Sequence, residues 1–155
     1  MLIERSFSQK LLMILAATAV FMDYLDTSIV SIALPAIAES FGSGSAMSSW
    51  VMTSYLLALG STLLLFGKLA DRTGLQRVIF TAGFVFFTVA SFLCGIATDV
   101  PSLIGFLVFQ GVAAAMMVAT ATMLITLHLP KNLKPIGMGV IATAGCAALA
   151  LGPSI

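Results

Sequence analysis

The chain has 155 residues, of which 60% are hydrophobic and only 8% charged, and its mean hydropathy is +1.14. So little charge cannot cover a water-soluble domain of this length. The net charge of +1 includes no basic run dense enough for nucleic acid, so the surroundings to be read are those of a lipid bilayer.

Five runs are long enough to cross a hydrocarbon core of about 30 Å, which takes roughly 20 helical residues. They cover residues 11–36, 47–66, 78–97, 103–127 and 136–155, after a short N-terminal segment, 1–10. None alternates polar and apolar residues as barrel strands do, so the expected fold is an all-α polytopic membrane protein with five transmembrane helices. The first run begins like a secretory leader, but its length, its two aspartates and the four further spans argue against one.

The first span carries Asp23 and Asp26 near its middle, while the other four contain no Asp, Glu, Lys or Arg. The i, i+3 spacing places both acids on one helical face. A carboxylate at that depth costs about 2.5–3.5 kcal/mol even on an insertion scale, which marks it as a candidate functional group. Two acids so close do not both ionise easily in a low dielectric, so the pair can hold a proton near neutral pH; ionised, it can instead neutralise a cationic substrate. The plainer alternative is that the acids hydrogen-bond neighbouring helices and hold the bundle together. Pro35 is expected to stop the first helix at its far end, the other reading being a kink that serves a gate.

Between the second and third spans lies Gly67-Lys-Leu-Ala-Asp-Arg-Thr-Gly-Leu-Gln-Arg77. Gly67 and Gly74 are expected to supply positive φ for a tight hinge, and Asp71, Arg72 and Arg77 to form a charged latch or a merely topogenic loop. Arg5, Lys10, Lys68, Arg72, Arg77, Lys131 and Lys134 all fall on one side of this topology, whereas the opposite loops hold Glu39 and Asp99. That asymmetry puts the N-terminus in the cytoplasm, and Trp50 suits the outer interfacial belt. Gln110 is the strongly polar residue of the fourth span; if three-helix units repeat, spans one and four line one cavity. Cys94 and Cys146 read as small buried hydrophobes, and with one histidine, His128, no metal cluster is visible.

The loop at 67–77 resembles motif A of the major facilitator superfamily through Gly67, Asp71, Arg72, Gly74 and Arg77, with Leu75 and Gln76 where basic residues are usual. Leu25-Asp-Thr-Ser-Ile-Val-Ser-Ile-Ala-Leu-Pro35 resembles the first-helix motif of the EmrB/QacA-like drug–proton antiporters, with Asp26 in the acidic position and Ser31 in place of an asparagine. Trp50-Val-Met-Thr-Ser-Tyr-Leu-Leu-Ala58 is similar to the opening of their second helix. Gln110-Gly111 matches the end of motif B, but Leu107 stands where the coupling arginine is expected. Gly152-Pro153 is similar to the core of motif C, with Ala148 replacing a common glycine.

The resemblance implies an N-terminal portion of a six-helix bundle within a longer carrier. It implies proton-coupled efflux of lipophilic or cationic compounds by alternating access, without enzymatic chemistry, metal or cofactor, the proton gradient being the driving force. Asp26, Asp23 and Gln110 would meet proton or substrate, Pro35, Gly111, Gly152 and Pro153 would shape helices, and the partners would be membrane lipid, a small-molecule substrate and the remaining helices of the carrier. An uptake symporter, or a truncated remnant or small membrane subunit, are the competing expectations.

Overall fold

A computed structural model describes residues 2–40 and 45–152. These form five helices, α1 (Leu2–Ser40), α2 (Ser45–Thr73), α3 (Gln76–Gly95), α4 (Val100–His128) and α5 (Lys134–Leu151). All five contain stretches long and apolar enough to span a membrane, including Gln9–Ile37 of α1 and the whole of α4, so the expected all-α, five-span architecture holds. Pro153 and the side chain of Arg5 lie outside the described residues.

The helix α4 is the hub, packing most extensively on α2 and α3, while α1 bridges α4, α5 and α2. Its sequence explains this position: apolar all round and rich in small residues, it can be buried on every side. Ala114, Ala115, Met117, Ala121 and Ile125 are fully enclosed, whereas Leu57, Leu64, Leu65 and Phe92 on α2 and α3 stand exposed, as lipid-facing residues do. Many threonine hydroxyls bond within their own helices, as in Thr62 Oγ1 to Ala58 O at 2.6 Å and Thr143 Oγ1 to Gly139 O at 2.8 Å.

Close approach of backbones replaces the hydrophobic drive that lipid removes. A Cβ on Gly83 of α3 would meet Met116 Cβ at 2.8 Å, and one on Gly137 of α5 would meet Ile125 Cγ2 at 3.0 Å. Gly145 sits against the Tyr24 ring and Gly152 against Ser28, which seats α5 on α1.

Three expectations are corrected. Pro35 lies inside α1, which continues to Ser40, because proline removes only its own donor and the residues after it are compatible with helix. Gly67 is helical, since α2 runs on to Thr73; the hinge shrinks to Gly74 and Leu75, and Gly74, at φ +67°, is the positive-φ residue among the described residues. Cys146 is exposed rather than buried, because α5 faces α1 through Gly145 and Gly152 and turns Cys146 away.

The start of α4 carries a pH-dependent element outside the membrane. Asp99 is its N-cap, with Oδ1 accepting from Ser102 N at 2.8 Å, and hydrogen bonding from the Ser102 side chain first, and its backbone N–H second, holds the carboxyl below its ordinary value. A carboxyl depressed in the folded state stabilises above its unfolded value, about 3.9, and loses that contribution as pH falls through the lowered folded value. Amide exchange at Ser102 is therefore expected to accelerate only in that acid window, and in Asp99→Ala to be fast already at neutral pH.

Candidate functional site

The acidic pair occupies the centre of α1, Asp23 standing midway between Gln9 and Ile37 of its span. The i, i+3 spacing turns both carboxyls inward, yet the two meet different helices. Asp23, 6% exposed, accepts a hydrogen bond from the Tyr55 hydroxyl of α2, itself 2% exposed. Asp26 is half-buried, and its Oδ2 accepts from Gln110 Nε2 of α4 at 2.6 Å. Gln110, 1% exposed, has its Oε1 accepting from the Cys94 thiol of α3 at 3.3 Å. One face of α1 is thus tied to three other helices through two carboxyls.

Every partner in this network is neutral. The seven Lys and Arg residues of the chain are Arg5, whose side chain lies outside the described residues, and Lys10, Lys68, Arg72, Arg77, Lys131 and Lys134, which lie towards the ends of the spans or in the connections. Leu107, where a motif B arginine was expected, is 1% exposed and belongs to the apolar core. The arrangement can therefore hold a proton or receive a cation, since among the described residues the carboxyls meet neutral donors and no Lys or Arg side chain bonds to them.

Gln110 and both aspartates come together as one cluster. Gly111, next to Gln110, permits it: a Cβ there would meet Tyr55 O at 2.6 Å, Ala58 Cβ at 3.1 Å and Leu59 N at 3.2 Å. The same close approach of α2 and α4 that needs Gly111 carries Tyr55 towards Asp23. Gly152, packed on Ser28 two residues beyond Asp26, steadies the far side of α1.

The residues at 67–77 lie apart from this cluster. Asp71, Arg72, Gly74 and Arg77 are exposed, and the turn is held by Gly74 N to Ala70 O at 3.1 Å and Gln76 Nε2 to Ala70 O at 3.0 Å. Gln76, a departure from the basic pattern of motif A, thus closes the turn with a neutral bond. Arg77 instead borders a cavity of about 260 Å³ between α1, α3 and α4, lined by Leu11, Leu15, Phe80 and Leu124. Among the described residues no cluster of three or more His, Cys, Asp or Glu could hold a metal.

Sequence reasoning missed Tyr55 and Cys94. Tyr55 lay within the segment that carried the second-helix resemblance, and a phenol inside an apolar span is itself a signal. Cys94 offered no such signal, because a thiol in a membrane helix packs like a small apolar residue unless an acceptor lies opposite.

Comparison with known proteins agrees with this architecture. Residues 16–155 match the Major Facilitator Superfamily. The chain is 38% identical over 130 residues to riboflavin transporter RibZ of Clostridioides difficile, covering 84% of this chain and 28% of that protein. It is 36% identical to fatty acid resistance protein FarB of Neisseria gonorrhoeae, over 87% of this chain and 26% of FarB. It is 35% identical to the multidrug resistance protein MdtD of Serratia proteamaculans, named there as putative, over 100% of this chain and 32% of MdtD. The chain therefore spans between a quarter and a third of the length of these curated relatives. Proteins of this superfamily are multi-pass membrane transporters of small molecules rather than enzymes, and generally use ion gradients and no cofactor. With its five spans and its match from residue 16 onward, this chain belongs to the Major Facilitator Superfamily.

Proposed function

We propose that this chain is the N-terminal part of a carrier that exports lipophilic or cationic compounds in exchange for protons. The observation that carries the reading is the membrane-embedded pair Asp23 and Asp26, whose partners Tyr55 and Gln110 are neutral. A buried carboxylate without a protein counter-charge is costly, so its charge must be cancelled by a proton or by a cationic substrate. Exchange of one for the other is antiport. Relatives named for multidrug and fatty acid resistance support the export direction.

On this reading the N-terminus and the cation-bearing connections face the cytoplasm of the cell membrane. Asp71, Arg72 and Arg77 around the Gly74 turn latch the inner gate, in the way a charged contact biases one of two helix arrangements. Gln110 and Asp26 face the substrate path. The remaining helices of the carrier complete the second half needed for alternating access.

A second reading, carriage of a riboflavin-like compound, rests on the 38% identity to RibZ. Inside-out vesicles holding the complete protein separate the two. A lipophilic cationic dye should accumulate only while an acid-inside gradient stands, and an uncoupler should abolish accumulation. Dye uptake that ignores the gradient removes proton coupling, and inhibition by riboflavin without any dye transport favours the second reading.

A further inference from the structure

Tyr24 stands beside Asp23 at the centre of the α1 span, and 41% of it is exposed. Among the described residues its hydroxyl has no hydrogen-bond partner, whereas the Tyr55 hydroxyl is committed to Asp23. An unpartnered phenol at mid-depth is out of place against lipid, where tyrosine gathers at the two interfaces instead.

Position round the helix points the same way. At about 100° per residue, Tyr24 falls between Asp23, which meets Tyr55 of α2, and Ser28, which meets Gly152 of α5. The exposed aliphatic residues Leu11, Leu15 and Ile29 lie roughly 140–180° away from it and mark the lipid side. Helices α2 and α5 each pack on α1 yet scarcely touch one another, so α1 floors an open notch between them. The ring of Tyr24 rests against α5, with ring carbons 3.6–3.7 Å from where a Gly145 Cβ would stand. Gly145 thus backs the ring closely without a side chain of its own, and the rest of the ring is left to the notch.

We propose that Tyr24 is a specificity-determining residue of the carrier, offering its ring to the substrate path as a stacking platform for flat aromatic ring systems. The inference rests on the export reading above and narrows its substrate class. A ring held from behind loses little freedom when a second ring stacks on it, and offset stacking rewards planarity rather than bulk. A cationic ring system gains further from the negative face of the phenol.

The test is equilibrium binding of two monocations to the complete protein in detergent at one pH: ethidium, which is flat and aromatic, and tetrahexylammonium, which has no ring. Tyr24→Leu should weaken ethidium about three- to tenfold, the worth of one stacked pair, and leave tetrahexylammonium within about twofold. Tyr24→Phe should keep the ethidium affinity, because the ring and its backing remain. Equal weakening of both cations by Tyr24→Leu reduces Tyr24 to packing and overturns the proposal. Unchanged ethidium binding overturns it too, and is the result expected if another helix of the carrier covers the ring.

The wild-type protein decides the matter even where Tyr24→Leu does not fold. Photoactivated ethidium azide should label Tyr24 or the walls of its notch on α2 and α5, and label confined to other elements overturns the proposal. A complete protein that binds neither cation refutes the reading as a carrier of lipophilic cations, and the proposal with it.

Discussion

Asp26→Asn is expected to lower proton-driven transport by the complete protein to the level of empty vesicles, with the protein still inserted and folded. The side chain keeps its shape, and the Asn oxygen can still accept from Gln110 Nε2, so the contact that joins α1 to α4 at 2.6 Å survives in the neutral amide. What is lost is the ability to take up and release a proton. Exchange of an uncharged lipophilic dye down its own gradient requires neither that step nor the carboxylate charge and should persist. Measurement of pH-gradient-driven dye uptake beside gradient-independent dye exchange separates the two. Full gradient-driven uptake by Asp26→Asn would falsify the assignment of Asp26, whereas loss of both activities together would point to a structural role.

Gly111→Val should be the most damaging of the apolar substitutions, because its first side-chain atom has nowhere to go. The obstruction is backbone, with Tyr55 O at 2.6 Å and Leu59 N at 3.2 Å from the ideal Cβ, so no rotamer change relieves it and α2 must move off α4. Overpacking of this kind costs about 1–3 kcal/mol, and more where backbone is displaced. The shift also draws Tyr55 away from Asp23, so a fold defect and a site defect arrive together. Gly60→Ala, on the same helix pair but with nothing within 4 Å of its Cβ, is the matched control and should stay within about 0.5 kcal/mol of wild type. Denaturant-induced unfolding in detergent, read for both variants, tests the contrast; equal stability of the two would remove the argument from close helix approach.

The two substitutions probe different links. Asp26 concerns chemistry carried by a side chain that the membrane would otherwise reject, whereas Gly111 concerns the absence of a side chain where two helices meet. Both positions stand out in the bare sequence, one as a charge inside an apolar run and the other beside Gln110. Their consequences differ because a charge is read locally, while a clearance depends on what the partner helix brings.

Much of this protein was legible without coordinates because the bilayer acts on local sums. A run of about 20 apolar residues must close its backbone hydrogen bonds within itself, so span number and helical class follow from the composition of each segment. The cost of a carboxylate in hydrocarbon is equally local, and it marked Asp23 and Asp26 without knowledge of their neighbours. Helix ends were less legible. Pro35 and Gly67 read as a stop and a hinge, yet both lie within helices, since a single proline removes one donor and a single glycine only lowers propensity.

Only the tertiary structure decided who meets the acids. Tyr55 lies 32 residues from Asp23 and Gln110 lies 84 from Asp26, and these pairs form because α4 is small-sided enough for α2, α3 and α1 to close around it. The division of one acidic pair into an enclosed member under a phenol and a half-buried member under an amide is likewise a property of packing. Hydropathy and spacing are sums along one helix. The partner of a polar group is set by the helix it faces, and that is fixed by contacts distant in the chain.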